Sequence, residues 1–325
     1  MKILLTHTPH MRDNYYGARA LSGLQSLGEV VLHQGNETLE GATLISAARD
    51  CEFIVADRAT ALPAPIFDAL ASLRAVLRCA VDIRNIDVAA ASSNGVLVTR
   101  AKPGFVESVT ELVLGLLVDL NRGISRASGA YQAGEVPTAK MGRQLAGTTI
   151  GIIGYGAIGR AVAPLAANLG MRVLISDPYV TVENPNFHQV DLPTLLADSD
   201  HVVCLAIANE ATENLVNAQA FARMKRDAVF INVSRGNLVD EAALAGAISE
   251  GRIAGAAIDV GRAADQMPTP AIAKLKGVIA TPHVGGLTPP AIEAQALHTV
   301  EQVSALVSGA VPDGAVNVPT WRRRI

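Results

Sequence analysis

The sequence predicts an α/β protein built from two doubly wound, mostly parallel sheets with a ligand cleft between them. Three features of its 325 residues predict this. Short apolar runs alternate with stretches of helical spacing along the chain, the rhythm of βαβ units. One run, Thr148 to Ile153, leads directly into Gly154-x-Gly156-x-x-Gly159 and then a helical pattern. A long amphipathic stretch, Val106 to Leu120, follows a break at Pro103-Gly104 and separates the two α/β halves.

In the first half the strand candidates are Lys2 to Thr6, Glu29 to Leu32, Phe53 to Ala56, Ala75 to Arg78 and Val96 to Val98, with helices at Tyr16 to Leu27 and Ala64 to Ala71. The long helix places Val109, Leu112, Val113, Leu116 and Leu117 on one face and runs on towards Tyr131. Lys140 to Gly147 is a polar approach to the glycine-bearing strand. The second half continues with strands at Arg172 to Ser176, Asp200 to Leu205, Ala228 to Asn232, Ala254 to Val260 and Val278 to Ala280, a sheet of about six strands. Helices fall at Leu192 to Ala197, Ala218 to Met224 and Asp240 to Glu250, and a last one from Ala291 to about Ser308. Ligands of such sheets gather at the carboxyl ends of the strands.

The glycine turn carries the first chemical signal. Gly154 permits the tight turn, Gly156 lets the backbone approach a pyrophosphate, and Gly159 lets the helix pack on the strand. The helix N-terminus then faces the phosphates. The next strand ends at Asp177, where a carboxylate about 20 residues on can hold the ribose hydroxyls of NAD. The reading is a Rossmann-like NAD site. The alternative is an α/β turn with incidental glycines and a helix-capping Asp.

Composition limits the remaining classes. With 27 basic against 30 acidic residues, the net charge of −3 gives no footprint for nucleic acid or membrane. Arg322-Arg323-Arg324 reads as a solvated tail. Cys51, Cys79 and Cys204 are far apart and odd in number, as in a reduced, cytoplasmic protein. Met1 to Leu5 reads as a first strand, and no apolar stretch reaches ~20 residues, so neither a signal peptide nor a membrane helix is expected. No His/Cys/Asp cluster has ligand spacing, so no metal is expected.

Two side chains stand directly after strands. Arg235, in Asn232-Val233-Ser234-Arg235-Gly236, can grip a carboxylate with two hydrogen bonds. The bland alternative is an ion pair with Asp240 or Glu241. His283, in Thr281-Pro282-His283-Val284-Gly285-Gly286, is suited to proton transfer near neutrality. Asp259 ends the preceding strand and Asp265 lies six residues further, and either could orient the His. An Arg, a His and a carboxylate at neighbouring strand ends over a nicotinamide site fit one reaction. The Arg holds a 2-oxo acid, the His protonates its carbonyl oxygen, and NADH delivers hydride; oxidation is the reverse.

These motifs, with Asp177-Pro178-Tyr179, Asn232 to Leu238, Gly251 to Ala256 and Asp259-Val260, resemble the D-isomer-specific 2-hydroxyacid dehydrogenases, the phosphoglycerate dehydrogenase-like family. The resemblance covers nearly the whole chain from Leu73 and, more loosely, the first seventy residues. It implies a flavodoxin-like substrate domain of residues 1–100 completed by 288–325, a Rossmann-like NAD domain of 101–287, and a homodimer. It implies Arg235 as the substrate-binding Arg and His283 as acid/base. It also implies cofactor contacts from Ser108, from Gly154, Tyr155, Gly156, Ala157 and Ile158, from Asp177, from Val233 and Ser234, from Asp259, His283 and Gly285. Asp177 with no basic residue directly after it favours NAD over NADP.

The chain departs from the family in three places. The usual catalytic Glu position is Ala264, and Asp265 is expected to replace it with a one-residue shift. The glycine-rich substrate loop reads Cys79-Ala80-Val81-Asp82-Ile83-Arg84-Asn85-Ile86-Asp87, with Asp82 at a family Gly and Arg84 at a family Asp. Val81, Asp82 and Arg84 then face the substrate, and Asp82 must point away, pair with Arg84 or bind a polar substrate group. Leu205-Ala206-Ile207-Ala208-Asn209 replaces a usual His and Pro and is expected to affect packing near the cofactor. Phe105, Arg84, Tyr15 and Trp321 are candidates for the substrate side chain. An NAD-dependent 2-hydroxyacid dehydrogenase is the leading reading. An NAD-sensing regulator of the same fold, or a family member using a formate- or phosphite-like donor, is the alternative.

Overall fold

The apolar runs Phe53–Ala56 and Ala75-Val76-Leu77 are buried on both faces, and they form the middle of a five-stranded sheet. The computed structural model describes residues 1–324. It divides into two units: Met1–Gly104 with the chain from Pro289 onward, and Phe105–Thr288.

The first unit holds β1 (Lys2–Leu5), β2 (Glu29–Leu32), β3 (Phe53–Ala56), β4 (Ala75–Arg78) and β5 (Leu97–Arg100). All pair in parallel in the order β2-β1-β3-β4-β5, the flavodoxin-like winding. Strand alternation splits the core in two. Ile3, Leu5, Phe53 and Val55 face Tyr16, Leu24, Val303 and Trp321, whereas Leu4, Ile54 and Val76 face Leu44, Ile66 and Phe67. Trp321 is therefore a core residue of this unit and not a substrate contact. Three helices escape a reading by periodicity: Pro9–Tyr15, Gly41–Ala48 and Val88–Ser93. The first buries no residue and so has no apolar stripe.

The helix Pro289–Val307 belongs to this unit, its Val300 packed under Gly23 of the helix Ala18–Leu27. The basic tail is exposed at Arg322 and Arg324, as a solvated tail would be, but it is tied to the unit by hydrogen bonds. Arg323 donates to the carbonyls of Leu70 and Leu73, Arg322 to that of Ser93, and Arg324 stacks over Trp321. Guanidinium donors here add to the bonding of carbonyls at the ends of short helices and turns.

The second unit holds β6 (Thr149–Ile153), β7 (Arg172–Ser176), β8 (Phe187–Gln189), β9 (His201–Cys204), β10 (Val229–Asn232), β11 (Gly255–Ile258) and β12 (Val278–Ala280). The order β12-β11-β10-β9-β6-β7-β8 is fully parallel, with its switch point between β6 and β9. The seventh strand, β8, is three residues long with only Phe187 buried, too short and polar for an apolar run to announce. The long helix is Val106–Arg122; Gly123, at φ 65°, breaks it before a second helix, Ile124–Gln132.

Candidate active site

At the switch point the three glycines have three different surroundings. Gly154 has φ 96°, and a methyl added there would lie 2.7 Å from the Ala206 amide nitrogen. A methyl on Gly159 would lie 2.4 Å from the Gly154 carbonyl oxygen, so the helix Ala157–Asn168 sits on the strand end at backbone contact. A methyl added at Gly156 would meet nothing within 4 Å beyond its chain neighbours. That open space is where a pyrophosphate would lie. No side chain caps this helix, whereas Asp191, Asn217 and Asp240 cap later helices of the same unit. The first-turn N–H groups, those of Ala157 and Ile158 among them, are thus left for an anion.

Asp177 lies beside the turn. Its carboxylate accepts from the Tyr155 amide at 2.8 Å and the Tyr179 amide at 2.9 Å, which aims it along the glycine loop. The Tyr155 ring is buried edge-on to Phe187, with the Arg160 guanidinium 4.6 Å from its centroid. The residues present fit a dinucleotide. The strand end after β9 completes the turn: Ala206 presses on Gly154, and its carbonyl accepts from the Ser234 hydroxyl at 2.6 Å.

Arg235 follows β10 in a turn closed by Asn232. The buried Asn232 amide donates to the Arg235 carbonyl at 3.0 Å and accepts from the Ser234 amide at 3.1 Å. Val233 is buried between them, and Arg235 itself donates to the Ser234 carbonyl at 2.7 Å. Asp240 and Glu241 are engaged elsewhere: Asp240 caps a helix, and Glu241 accepts from the Arg262 amide and the Thr269 hydroxyl. Gly236 is pressed so closely on Gly261 that a methyl would lie 2.1 Å from its carbonyl oxygen. This contact couples the turn after β10 to the loop after β11.

Asp259, just after β11, organises the His283 turn. Its buried carboxylate accepts from the Thr281 hydroxyl at 2.6 Å, the Val284 amide at 2.8 Å and the Gly285 amide at 2.9 Å. Its carbonyl accepts from the His283 amide at 2.9 Å. These bonds hold His283 at φ 54°, a left-handed conformation that non-glycine residues rarely adopt. The structure also brings Asp265 to His283, but through the main chain: Nδ1 lies 2.8 Å from the Asp265 carbonyl oxygen. Ala264 is exposed beside it. Ser108 bonds the Thr288 hydroxyl at 2.6 Å.

The loop after β4 belongs to the first unit. Arg84 forks onto Asp82, with Nε 3.0 Å from both carboxylate oxygens and Nη2 2.6 Å from Oδ2. Val81 precedes this pair, half-buried. Beneath the loop is a buried polar group that apolar patterning does not reveal. Arg78, fully buried, donates to the carbonyls of Asp57 and Thr60 and to the Asn85 side chain. Asp57 accepts from Thr6, Thr60 and the Ala59 amide, and these bonds hold its carboxyl below the usual range against the opposing effect of burial. Burial lowers the neighbouring His7 to about 4, partly countered by Asp57.

A glycine turn at the switch point, an uncapped helix and an acid after the next strand define a dinucleotide-binding α/β unit. Comparison with known proteins gives the family. Residues 114–285 match the NAD binding domain of the D-isomer specific 2-hydroxyacid dehydrogenases. The chain is 31% identical over 324 residues to a D-3-phosphoglycerate dehydrogenase of Methanocaldococcus jannaschii, covering 98% of this chain and 60% of that protein. It thus spans less than two thirds of that relative. It is 32% identical over 273 residues to a hydroxypyruvate reductase of Thermotoga maritima, covering 82% of this chain and 89% of that one. A solved structure of a Thermus thermophilus protein superposes with a TM-score of 0.87 at 28% identity, over 97% of this chain and 100% of that chain. The chain belongs to the D-isomer-specific 2-hydroxyacid dehydrogenase family, and its cofactor is NAD.

Among the described residues no helix is long and apolar enough to cross a membrane, and no group of three His, Cys, Asp or Glu is placed to hold a metal ion.

Proposed function

We propose that the chain is an oxidoreductase that interconverts a 2-oxo acid and its 2-hydroxy acid with NAD(H). One observation carries the reading. Arg235, Asp265 and His283 stand in the turns after three adjacent parallel strands, β10, β11 and β12, at the same sheet end as the glycine turn. Bound NADH supplies the hydride for the carbonyl carbon. Arg235 grips the substrate carboxylate by two hydrogen bonds and polarises the adjacent carbonyl. His283 gives a proton from Nε2 to the carbonyl oxygen, and takes it back when the alcohol is oxidised. Asp265 keeps the ring in place. The cofactor is held by Ser108, the Gly154 to Ile158 turn, Asp177, Val233, Ser234, Asp259 and Gly285. Val81, Asp82 and Arg84 are the substrate-binding candidates of the first unit.

Asp82 and Arg84, which replace a family Gly and Asp, support an unusual substrate rather than plain pyruvate or glyoxylate. High kcat/KM on either simple acid would contradict this. We also propose a homodimer in the cytoplasm. Support for the dimer is the run of exposed apolar side chains Val118, Ile124, Tyr131, Val136 and Met141, where a projecting pair, Val136 and Met141, accompanies a groove along Val118, Ile124, Ala127 and Tyr131. A two-fold contact would cover these exposed apolar side chains; sedimentation as a monomer would refute it. The three unpaired cysteines support a reducing compartment.

The test of the activity is a panel of 2-oxo acids with NADH, followed by NADH absorbance. Turnover of at least one is expected. NADH binding with no turnover on any would replace the enzyme by an NAD-sensing protein of this fold.

A further inference from the structure

We propose that the main-chain carbonyl of Asp265 is the positioning group that fixes the tautomer and ring plane of His283. The inference rests on the reading of His283 as the acid/base and names the atom that serves it. A carbonyl oxygen only accepts, so the 2.8 Å contact requires the proton on Nδ1 and leaves the Nε2 lone pair for the substrate. Ala264 stands where the family resemblance puts a carboxylate, and it offers only a methyl group.

Both ends of the bond are built. On the acceptor side the loop after β11 closes on itself, with the Gly261 amide donating to the Gln266 carbonyl at 2.8 Å and the Ala263 amide to the Met267 carbonyl at 3.0 Å. Within it Asp265 and Gln266 are both left-handed, at φ 53° and 57°. That reversal is what turns the Asp265 carbonyl towards the ring. On the donor side Asp259 clamps the left-handed His283 turn through four hydrogen bonds. Two consecutive strained residues persist only where the surroundings over-determine them. Here the result is an oriented imidazole whose partner is neutral. Asp tolerates left-handed backbone, Asn and Gly do so at least as well, and β-branched residues do not.

The experiment has two readouts. In protein labelled with ¹⁵N-histidine, the His283 ring signals, assigned with His283→Gln, report the tautomer without turnover. The neutral ring is expected as the Nδ1–H tautomer in the wild type and in Asp265→Asn, and as a mixture in Asp265→Val. On the best substrate of the panel, Asp265→Asn should lower kcat about 3-fold, and Asp265→Val about 100-fold with KM for NADH retained. An Nε2–H tautomer in the wild type overturns the proposal, and needs no Asp265 variant to fold. So does an Asp265→Asn protein that matches Asp265→Val in both readouts, because the carboxylate would then be the working group. An Nδ1–H ring in a protein that turns over no 2-oxo acid leaves this contact standing and removes the activity instead.

Discussion

Alanine placed in turn at Gly154, Gly156 and Gly159 should separate the structural from the ligand-facing glycines. At Gly159 the new methyl lies 2.4 Å from the Gly154 carbonyl oxygen, closer than carbon and oxygen come without bonding. The helix must lift from the strand, an overpacking cost of about 1–3 kcal/mol. At Gly154 the methyl meets the Ala206 backbone and also forces an L-residue to φ 96°, so the loss should be at least as large, on the order of 2–4 kcal/mol. At Gly156 the outcome reverses. The backbone there is at φ −77°, which alanine adopts freely, and nothing of the protein beyond its chain neighbours lies within 4 Å of the methyl. Stability should be unchanged or higher by about 0.5 kcal/mol, through the smaller freedom of the unfolded chain. The methyl instead takes the space reserved for the pyrophosphate. Loss of that approach should weaken NADH by about 10- to 100-fold, or roughly 1–3 kcal/mol. Urea unfolding followed by circular dichroism gives the stabilities, and titration of NADH fluorescence gives the affinities. A Gly156→Ala protein that binds NADH as tightly as the wild type would refute the placement of the dinucleotide on this turn.

Arg235→Lys keeps the charge but loses the planar fork, so kcat/KM for the 2-oxo acid should fall about 100-fold while NADH affinity holds; a loss under about 3-fold would remove Arg235 from the substrate carboxylate. Asp177→Ser removes the carboxylate beside the Tyr155 amide, and the preference for NADH over NADPH in kcat/KM should fall by about 10-fold; a wild-type enzyme with lower KM for NADPH at equal kcat would already contradict the role given to Asp177. His7 is buried, and burial lowers it from 6.5 to about 4, so the fold disfavours its protonation. Its contribution is complete above pH 6.5 and is lost as pH falls towards 4, about 3 kcal/mol at roughly 1.4 kcal/mol per pH unit. Trp321, the single tryptophan, lies in the core of the same unit and reports its unfolding by fluorescence. The difference in stability between wild type and His7→Gln should shrink on the alkaline-to-acid passage by that amount; a constant difference from pH 7 to 4 would refute the buried neutral imidazole.

What could be read from the sequence depended on how narrowly the physics restricts the residue. Phe53–Ala56 and Val229-Phe230-Ile231 are buried throughout, and a strand buried on both faces reads as a near-continuous apolar run. The glycine turn was legible for the same reason: at Gly159 no side chain fits, and at Gly154 neither the space nor the φ admits one. β8 and the helix Pro9–Tyr15 were not legible, because a strand with one buried residue and a helix with none impose almost no pattern. The polar groups divide along the same line. The pairing of Asp82 with Arg84 could be seen as an option, because the two residues are two apart in one loop. The Arg78–Asp57–His7 group could not, since it joins the ends of three strands and shows in the sequence only as polar residues bordering apolar runs. Asp265 is the sharpest case. The sequence offered a carboxylate one residue out of place, and the natural inference was that the side chain makes up the distance. The structure places a main-chain carbonyl, a group every residue carries, 2.8 Å from the His283 ring. Only the left-handed backbone that aims it favours particular residues, and Asp is one of them. Asp suits this place in the loop on conformational grounds, and the carbonyl that faces the imidazole is an atom no sequence motif encodes.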